Sequence, residues 1–216
     1  MHRFYWDLHY GPAPDPQSIP MQAILHDTAA EPKGPWAMPG HYTVRLTVAG
    51  QSQEVPLEVR MDPRVTTSTE DLQMQFDMAK SSWDSAARAQ VIRGEISGVR
   101  EQIKGARAKA TGDEAKRLDD LDKKLEDLLG GGGGRRRSRF GGGLADAFGG
   151  VFGSVEGADL RPTITVQETY KGLVKQMADL ESAWAEIKAH DLSGFTVPEI
   201  ATPAVPFATE ENEEEP

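Results

Sequence analysis

Residues 68–106 read STEDLQMQFDMAKSSWDSAARAQVIRGEISGVREQIKGA, and this stretch decides most of the fold. Ser68 and the acidic residues just after it are typical of a helix start. Apolar residues then recur at spacings of three and four, which is the period of one helix face. The pattern predicts a single helix of about 40 residues, a length typical of coiled-coil-like elements. The apolar face contains Leu72, Phe76, Ala79, Trp83, Ala86, Ala89, Ile92, Ile96, Val99, Ile103 and Ala106.

Three further segments carry helical signals. After a break at Thr111-Gly112-Asp113, a second, shorter helix is predicted by Leu118, Leu121, Leu125 and Leu128. Residues 144–151 are a candidate for a short helix. A third long helix is predicted from about Thr165 to His190, with the apolar residues Tyr170, Leu173, Met177, Leu180, Trp184 and Ile187. Because such stripes bury one another best side by side, we predict an antiparallel bundle over residues 67–190 that contains a long coiled-coil-like hairpin.

Residues 1–66 alternate with a period of two instead. The alternation runs over residues 41–48 and resumes over 54–61 after a turn at Ala49-Gly50-Gln51, which predicts a β-hairpin. Pro56 lacks a backbone donor, so its strand is expected at a sheet edge or bulge. The apolar face of the hairpin is predicted to contain Tyr42, Val44, Leu46, Val48, Val55, Leu57, Val59 and Met61.

Two more strands are predicted, one at Phe4, Trp6 and Leu8 and a weaker one over residues 21–25. Four strands are fewer than the roughly seven of a complete sandwich. We therefore predict that residues 1–66 form a partial immunoglobulin- or fibronectin-like β-sandwich and that Met1 is not a natural domain start. With the helices that follow, the predicted fold class is α+β.

Two segments are low in complexity. Residues 130–143 begin with five consecutive glycines and end with three more, which predicts a Gly/Arg-rich loop because glycine runs form no stable element. Residues 191–216 are rich in proline and end in a run of glutamates. This composition predicts a disordered acidic tail.

The composition argues against several classes of function. The 216 residues include 34 Asp and Glu against 24 Lys and Arg, and the net charge of −10 argues against a general nucleic-acid or anionic-membrane role. The absence of cysteine excludes disulfides, thiolate metal sites and cysteine nucleophiles. No apolar run reaches the roughly 18–20 residues of a membrane span, and residues 1–7 do not form a signal peptide.

Sequence motifs of catalysis are absent. The chain contains no phosphate-binding loop, zinc-protease, serine-hydrolase or EF-hand motif. Its five histidines are scattered, without a second ligand at i+2 to i+4. His9 and Asp7 share a face of their predicted strand, but it is the polar face, where a solvated pair is the expected interpretation. We predict no catalytic residue, no metal site and no cofactor.

The first of two candidate interaction sites is the arginine loop, which we define as Arg135, Arg136, Arg137 and Arg139. Arginines flanked by glycines and followed by Phe140 resemble RNA-binding arginine–glycine segments. The segment is short, has one aromatic residue and lies in a strongly acidic chain. A soluble linker that rests on acidic helix faces is therefore the preferred interpretation, and nucleic-acid binding is the alternative.

The second candidate is an aromatic pair in the β region. Trp36 lies in the loop over residues 33–40, and Tyr5 lies on the polar face of its predicted strand. Exposed aromatic side chains are typical of sugar- or protein-binding surfaces. A tryptophan folded over the end of a sandwich core is the commoner arrangement, and both interpretations stay open for Trp36.

Several motifs together resemble a known family. They are R-F-Y-W-D-L at residues 3–8, G-P-W-A-M-P-G-H-Y-T-V-R-L at 34–46 and V-R-M-D-P-R-V at 59–65. The combination is similar to the C-terminal region of bacterial sortilin-like β-propeller proteins, often labelled BNR-repeat glycosyl hydrolases. Ser68 to Leu72 with Gln75-Phe76, and Val155 to Asp159 with Pro162-Thr163, resemble the start of that family's helical segment and its link into the last helix.

The resemblance implies a non-catalytic accessory region that packs on, or extends from, an upstream β-propeller and mediates protein contacts outside the cytoplasm. The propeller itself has no counterpart here, and the insert at 130–143 departs from the family pattern, so no catalytic residue is carried over. Two alternatives remain. The chain could be a glycan-binding part of a glycoside hydrolase, or a weak nucleic-acid binder through the arginine loop.

Overall fold

Helix α1 (Thr69–Arg107) runs the length of the helical part of the protein. Ser68 caps it, because the Ser68 side chain accepts a hydrogen bond from the Asp71 N–H at 3.2 Å. At 1.5 Å per residue the helix is about 58 Å long. The prediction of one long helix in this stretch is confirmed.

A computed structural model describes residues 6–11, 34–130 and 143–200. Its elements, in chain order, are β1 (Gly40–Val48), β2 (Gln51–Val59), α1, α2 (Gly112–Leu128), α3 (Leu144–Glu156) and α4 (Ile164–His190). The strands form a two-stranded antiparallel sheet. The predicted α+β class is confirmed.

The other helices all pack on α1. Its fully buried residues Ile92, Ile96 and Val99 share one core with Phe148 of α3, Leu125 of α2 and Trp184 of α4. This confirms the prediction that Trp184 lies in the core. The Trp184 indole N–H also donates a hydrogen bond to Glu95 at 2.6 Å, which satisfies the one polar atom of that side chain.

Contacts along α1 establish the direction of each helix. Arg107 pairs with Asp119 at 2.7 Å and Arg100 pairs with Asp122 at 2.7 Å, so α2 runs antiparallel to the end of α1. In contrast, α4 runs parallel to α1, because Ser81 bonds Tyr170 and Arg88 bonds Glu181 further along both helices. The Arg100 guanidinium lowers the pKa of Asp122 through its hydrogen bonds to that carboxylate.

Helix α3 runs antiparallel to the first half of α1. Gln75 holds its C-terminal end, because the buried Gln75 amide donates to Val155 O in the last turn at 2.9 Å and to Ala158 O just beyond the helix at 3.0 Å. Further along, Trp83 of α1 contacts Phe152 at a ring distance of 4.8 Å. Carbonyls at a helix end have no partner within the helix, so this side chain both caps α3 and fixes it on α1.

The long coiled-coil-like hairpin is not confirmed. Helices α2 and α3 follow one another along α1 and together form the descending side of an up-down-up bundle, with residues 130–143 between them. The sequence predicted only a short helix over 144–151, because Gly149, Gly150 and Gly153 lower the helix propensity of α3. Burial on α1 outweighs that propensity and extends the helix to Glu156.

The sandwich prediction is not confirmed either, because the sheet in the described residues has two strands. The strand predicted at Trp6 and Leu8 is wrong for these residues, since Leu8 has a φ of +64° and interrupts the extended backbone. Residues 8–10 instead pair with 35–37 through Tyr10 N–H to Pro35 O at 2.9 Å and Ala37 N–H to Leu8 O at 2.7 Å. Residues 1–5 and 21–25 lie outside the described residues.

Residues 191–200 are packed, so the prediction of a disordered tail from residue 191 is wrong for these ten. Leu192 is buried, and the Gln102 side chain both donates to Thr196 O at 2.6 Å and accepts from Thr196 N–H at 3.0 Å. Pro198 lies over Gly98, where a Cβ would come within 2.6 Å of its ring. The absence of a side chain at Gly98 makes room for this segment, and residues 201–216 lie outside the described range.

We expect Gly98→Ala and Gly172→Ala to differ although both change a glycine inside a long helix. Gly172 has nothing near its missing Cβ, so alanine there should raise the free energy of unfolding by about 1 kcal/mol through helix propensity. At Gly98 the new methyl should displace Pro198 and cancel that gain. Urea unfolding measures both variants, and hydrogen exchange at the Thr196 amide should accelerate in Gly98→Ala alone. Equal gains in the two variants would show that residues 196–200 do not rest on α1.

Candidate functional site

The β1–β2 hairpin has one apolar and one polar face. Nine residue pairs run from Gly40 opposite Val59 to Val48 opposite Gln51. Since side chains alternate between the faces of a strand, one face carries only uncharged, mostly apolar residues. We call this the bare face and define it by Tyr42, Val44, Leu46, Val48, Val55 and Leu57.

The bare face is largely exposed. Val44, Leu46, Val48 and Val55 leave between 51% and 63% of their surface accessible. Among the described elements no helix makes a contact with either strand. A two-stranded hairpin alone is at best marginally stable in water, and exposed apolar patches mark interaction surfaces. The bare face is therefore the strongest candidate functional site in the described residues.

The opposite face of the hairpin is polar and suits solvent. Arg45 pairs with Glu54 at 2.6 Å directly across the two strands, and the hydroxyls of Thr47 and Ser52 share a hydrogen bond of 2.7 Å. Nearer the base of the hairpin, beyond Thr43 and Pro56, His41 lies opposite Glu58. The bare face, in contrast, exposes mostly apolar side chains to water. Of the two faces it is therefore the one suited to contact with another apolar surface.

Near the base of the hairpin the bare face is partly covered. Trp6 packs edge-on against Tyr42 at a ring distance of 5.7 Å, and the Tyr42 hydroxyl donates to Met38 O at 2.6 Å. Burial raises the pKa of Tyr42. The exposed part of the face therefore lies toward the turn at Ala49 and Gly50, whose positive φ angles are those of a tight two-residue hairpin turn.

Trp36 connects the β region to the bundle. Its backbone N–H donates to the Glu156 carboxylate at 3.1 Å, at the end of α3, and its ring lies 3.7 Å from the His9 ring. The neighbouring Tyr10 contacts Phe76 of α1 at a ring distance of 5.6 Å. These contacts fasten residues 6–11 and 34–37 to one end of the bundle.

Trp36 is 48% exposed. It does not cover a sandwich core in the described structure, because its contacts are to His9 and to the end of α3. Exposure keeps open the prediction that Trp36 belongs to a binding surface. The other predicted sites, Tyr5 and the arginine loop of Arg135, Arg136, Arg137 and Arg139, lie outside the described residues.

Glu156 has an unusual environment for a carboxylate. Burial raises its pKa, and the nearby Asp159 raises it further, while the hydrogen bond from the Trp36 N–H acts in the opposite direction. Sequence analysis did not identify Glu156, because the contact joins residues 120 positions apart. No local pattern carries that information.

Two open clefts follow the seam between α1 and α4. One has a volume of about 670 Å³ and is lined by Met74, Met78, Tyr170 and polar residues of α1. The other, of about 390 Å³, is lined mainly by charged residues such as Asp77, Lys80 and Arg88. In the second cleft four of these charged side chains pair with one another, as Lys80–Asp84 and Arg88–Glu181.

Two further observations concern metals and membranes. Over residues 6–11, 34–130 and 143–200, no three His, Asp or Glu side chains are grouped so that they could hold a metal ion. None of the helices in these ranges is both long enough and apolar enough to cross a membrane.

Comparisons with protein-family models, with curated proteins and with solved structures found no match to this chain. The similarity to the sortilin-like β-propeller family therefore rests on the motifs at residues 3–8, 34–46 and 59–65. What that similarity implies stays a prediction.

We expect Glu156→Gln to stabilise the protein at neutral pH and to have little effect at low pH. Glutamine can still accept the Trp36 N–H bond, but it carries no charge to bury. Burial raises the pKa of Glu156 in the folded protein, so folding favours the protonated side chain. The stability that Glu156 contributes is therefore fully present below the ordinary pKa of a carboxyl group, and it is lost as the pH rises through the pKa of the folded state. Urea unfolding of both proteins at several pH values measures this difference. A difference in unfolding free energy between the two proteins that does not change with pH would contradict the raised pKa of Glu156.

Proposed function

We propose that this chain is a non-catalytic interaction region that docks on another protein surface through the bare face of its hairpin. The observation that carries the proposal is the exposure of Val44, Leu46, Val48 and Val55 on one side of a sheet whose other side is polar. Complete burial of such side chains contributes about 1.5–3 kcal/mol each, and these four begin half exposed or more. A complementary apolar surface would therefore gain several kcal/mol from them.

The partner we propose is a β-propeller of the sortilin-like family, outside the cytoplasm. This part of the proposal is supported by the motif resemblance, in which the hairpin residues 41–46 and the start of α1 belong to the shared pattern. The helical bundle supplies the anchoring point, because Trp36 and Tyr10 fasten the segments around the hairpin to its end. The proposal assigns no catalytic step to the chain.

Leu46→Asp tests the docking surface, with Thr47→Asp as its matched control on the polar face. We expect Leu46→Asp to weaken binding about tenfold or more, because the new carboxylate must be desolvated in the interface. Thr47→Asp adds the same charge one residue away and should change affinity little. Isothermal titration against a purified sortilin-like β-propeller from the same genome measures both. Undetectable binding of the wild type, or equal losses in both variants, would reject the proposal.

A glycan-binding role is the second candidate, and the half-exposed Trp36 ring is the observation that favours it. Glycan-array binding that Trp36→Ala abolishes, and that Leu46→Asp leaves unchanged, would select this alternative.

A further inference from the structure

Residues 191–200 return along α1 after α4 has ended. Three contacts follow one another along α1, namely Thr196 at Gln102, Pro198 at Gly98 and Ile200 at Gly94. Every two residues of the segment therefore correspond to four residues of α1. Four helical residues rise about 6.0 Å, and two residues of extended chain span about 6.2–6.6 Å. The two lengths agree, so the segment is extended and runs antiparallel to α1.

The side of α1 ahead of Ile200 continues the surface on which this segment lies. Ala87, Val91 and Gly94 precede Gly98 by 11, 7 and 4 residues, and these spacings place the four residues on one side of the helix. We call these four residues the docking strip. Val91 is only 5% exposed, although it is not part of the core that the four helices share. The docking strip is therefore a second packed surface of α1, apart from that core.

The docking strip ends where charged residues begin. Lys80 and Asp84 are the next residues on this side of α1, and they pair with each other at 2.6 Å. From Gly98 to Lys80 the helix rises about 27 Å. The mostly apolar part of the C-terminal segment ends at Phe207, nine residues after Pro198, and nine residues of extended chain span about 28 Å. The mostly apolar part of the chain is therefore as long as the side of α1 that it would follow.

Residues 201–207 read ATPAVPF, a sequence that suits an extended conformation. Pro203 and Pro206 fix their own φ at about −65° and disfavour helix in the residue before them. An extended chain of this kind needs no backbone partner, because its N–H and C=O groups stay solvated. None of the seven residues is charged, so no charge opposes their burial against the docking strip.

We propose that residues 201–207 of this chain dock on the docking strip and extend the described segment along α1. Ile200 already lies on the strip at Gly94, where the direction of the chain is fixed, so the next residues start on the strip. A segment tethered at this point binds at a high effective concentration, which favours it over a partner in solution. The prediction of a disordered tail then applies to residues 208–216.

The pace of the described segment also gives the register of the docked one. Counted on from Ile200, Ala204 comes within about 2 Å of the level of Ala87, and Phe207 comes level with Lys80. Long charged side chains cover apolar surface with their methylene groups. Phe207 thus packs beneath the stem of Lys80 while the ammonium group stays paired. The proposal does not rest on the docking function above, because it concerns the bundle and leaves the hairpin unchanged.

A pair of cysteines tests the register, because the chain has no cysteine of its own. In the proposed register, Ala87→Cys with Ala204→Cys brings the two Cα atoms into the range of about 4.4–6.8 Å that disulfides span. The control is Ala87→Cys with Ala208→Cys, whose second cysteine lies about 12 Å further along the extended segment.

An undocked segment would cross-link at nearly the same rate in both variants, since closing loops that differ by four residues costs almost the same entropy. Docking should make intramolecular disulfide formation about tenfold or more faster in the first variant, because its two thiols are held together. Mass spectrometry of samples taken during mild oxidation measures both rates. Equal rates, or a faster control, would overturn the proposal.

Two truncations test whether docking stabilises the protein. Residues 201–207 are uncharged, so chains that end at Phe207 and at Ile200 carry the same net charge and differ in the proposed contact. We expect the chain that ends at Ile200 to unfold at a lower urea concentration, because the docking strip loses its apolar cover. The chain that ends at Phe207 should unfold at no lower a concentration than the full chain. The same urea midpoint for the two truncated chains would contradict docking of residues 201–207.

Discussion

The burial of one face of α1 is the constraint on which the helical structure depends. A 39-residue helix with apolar residues along its length cannot remain exposed, and α2, α3 and α4 each cover part of that face. The direction of each helix follows from the few polar groups beside the core. Gln75 holds the end of α3, Arg100 holds α2, and Glu95 receives the Trp184 indole N–H. Apolar burial supplies most of the stabilisation, and these bonds select one arrangement.

The β region follows a different physical rule. None of its described residues belongs to the core of the bundle, and its described attachment to the bundle runs through Tyr10, Trp36 and the carboxylate of Glu156. The hairpin beyond this attachment has paired strands but almost no buried side chains. Elements with few buried contacts open at low free-energy cost. A partner that covered the bare face would therefore also stabilise the hairpin, which couples binding to local order.

Much of the helical structure could be predicted because its information is periodic. Leu72, Ile92 and Ile96 recur at helical spacing, and the long helix follows from them. Helix α3 was underestimated because its glycines weaken the local signal that burial on α1 overrides. The same limit applies to the segment beyond Asp191, whose prolines predict a tail although Pro198 fits over Gly98. For the site, the apolar face of the hairpin was predicted correctly, but its exposure was not.

The sequence by itself determined the long helix α1, the pairing of β1 with β2 and which side chains of these elements share a face, since these depend on spacing within about ten residues. Only the tertiary structure decided that α4 runs parallel to α1, that Glu156 meets the Trp36 N–H, and that Val44 and Leu46 have no cover among the described elements. Those facts depend on which distant surfaces meet. Periodicity shows that an apolar face needs a partner, but it does not show whether the same chain provides one.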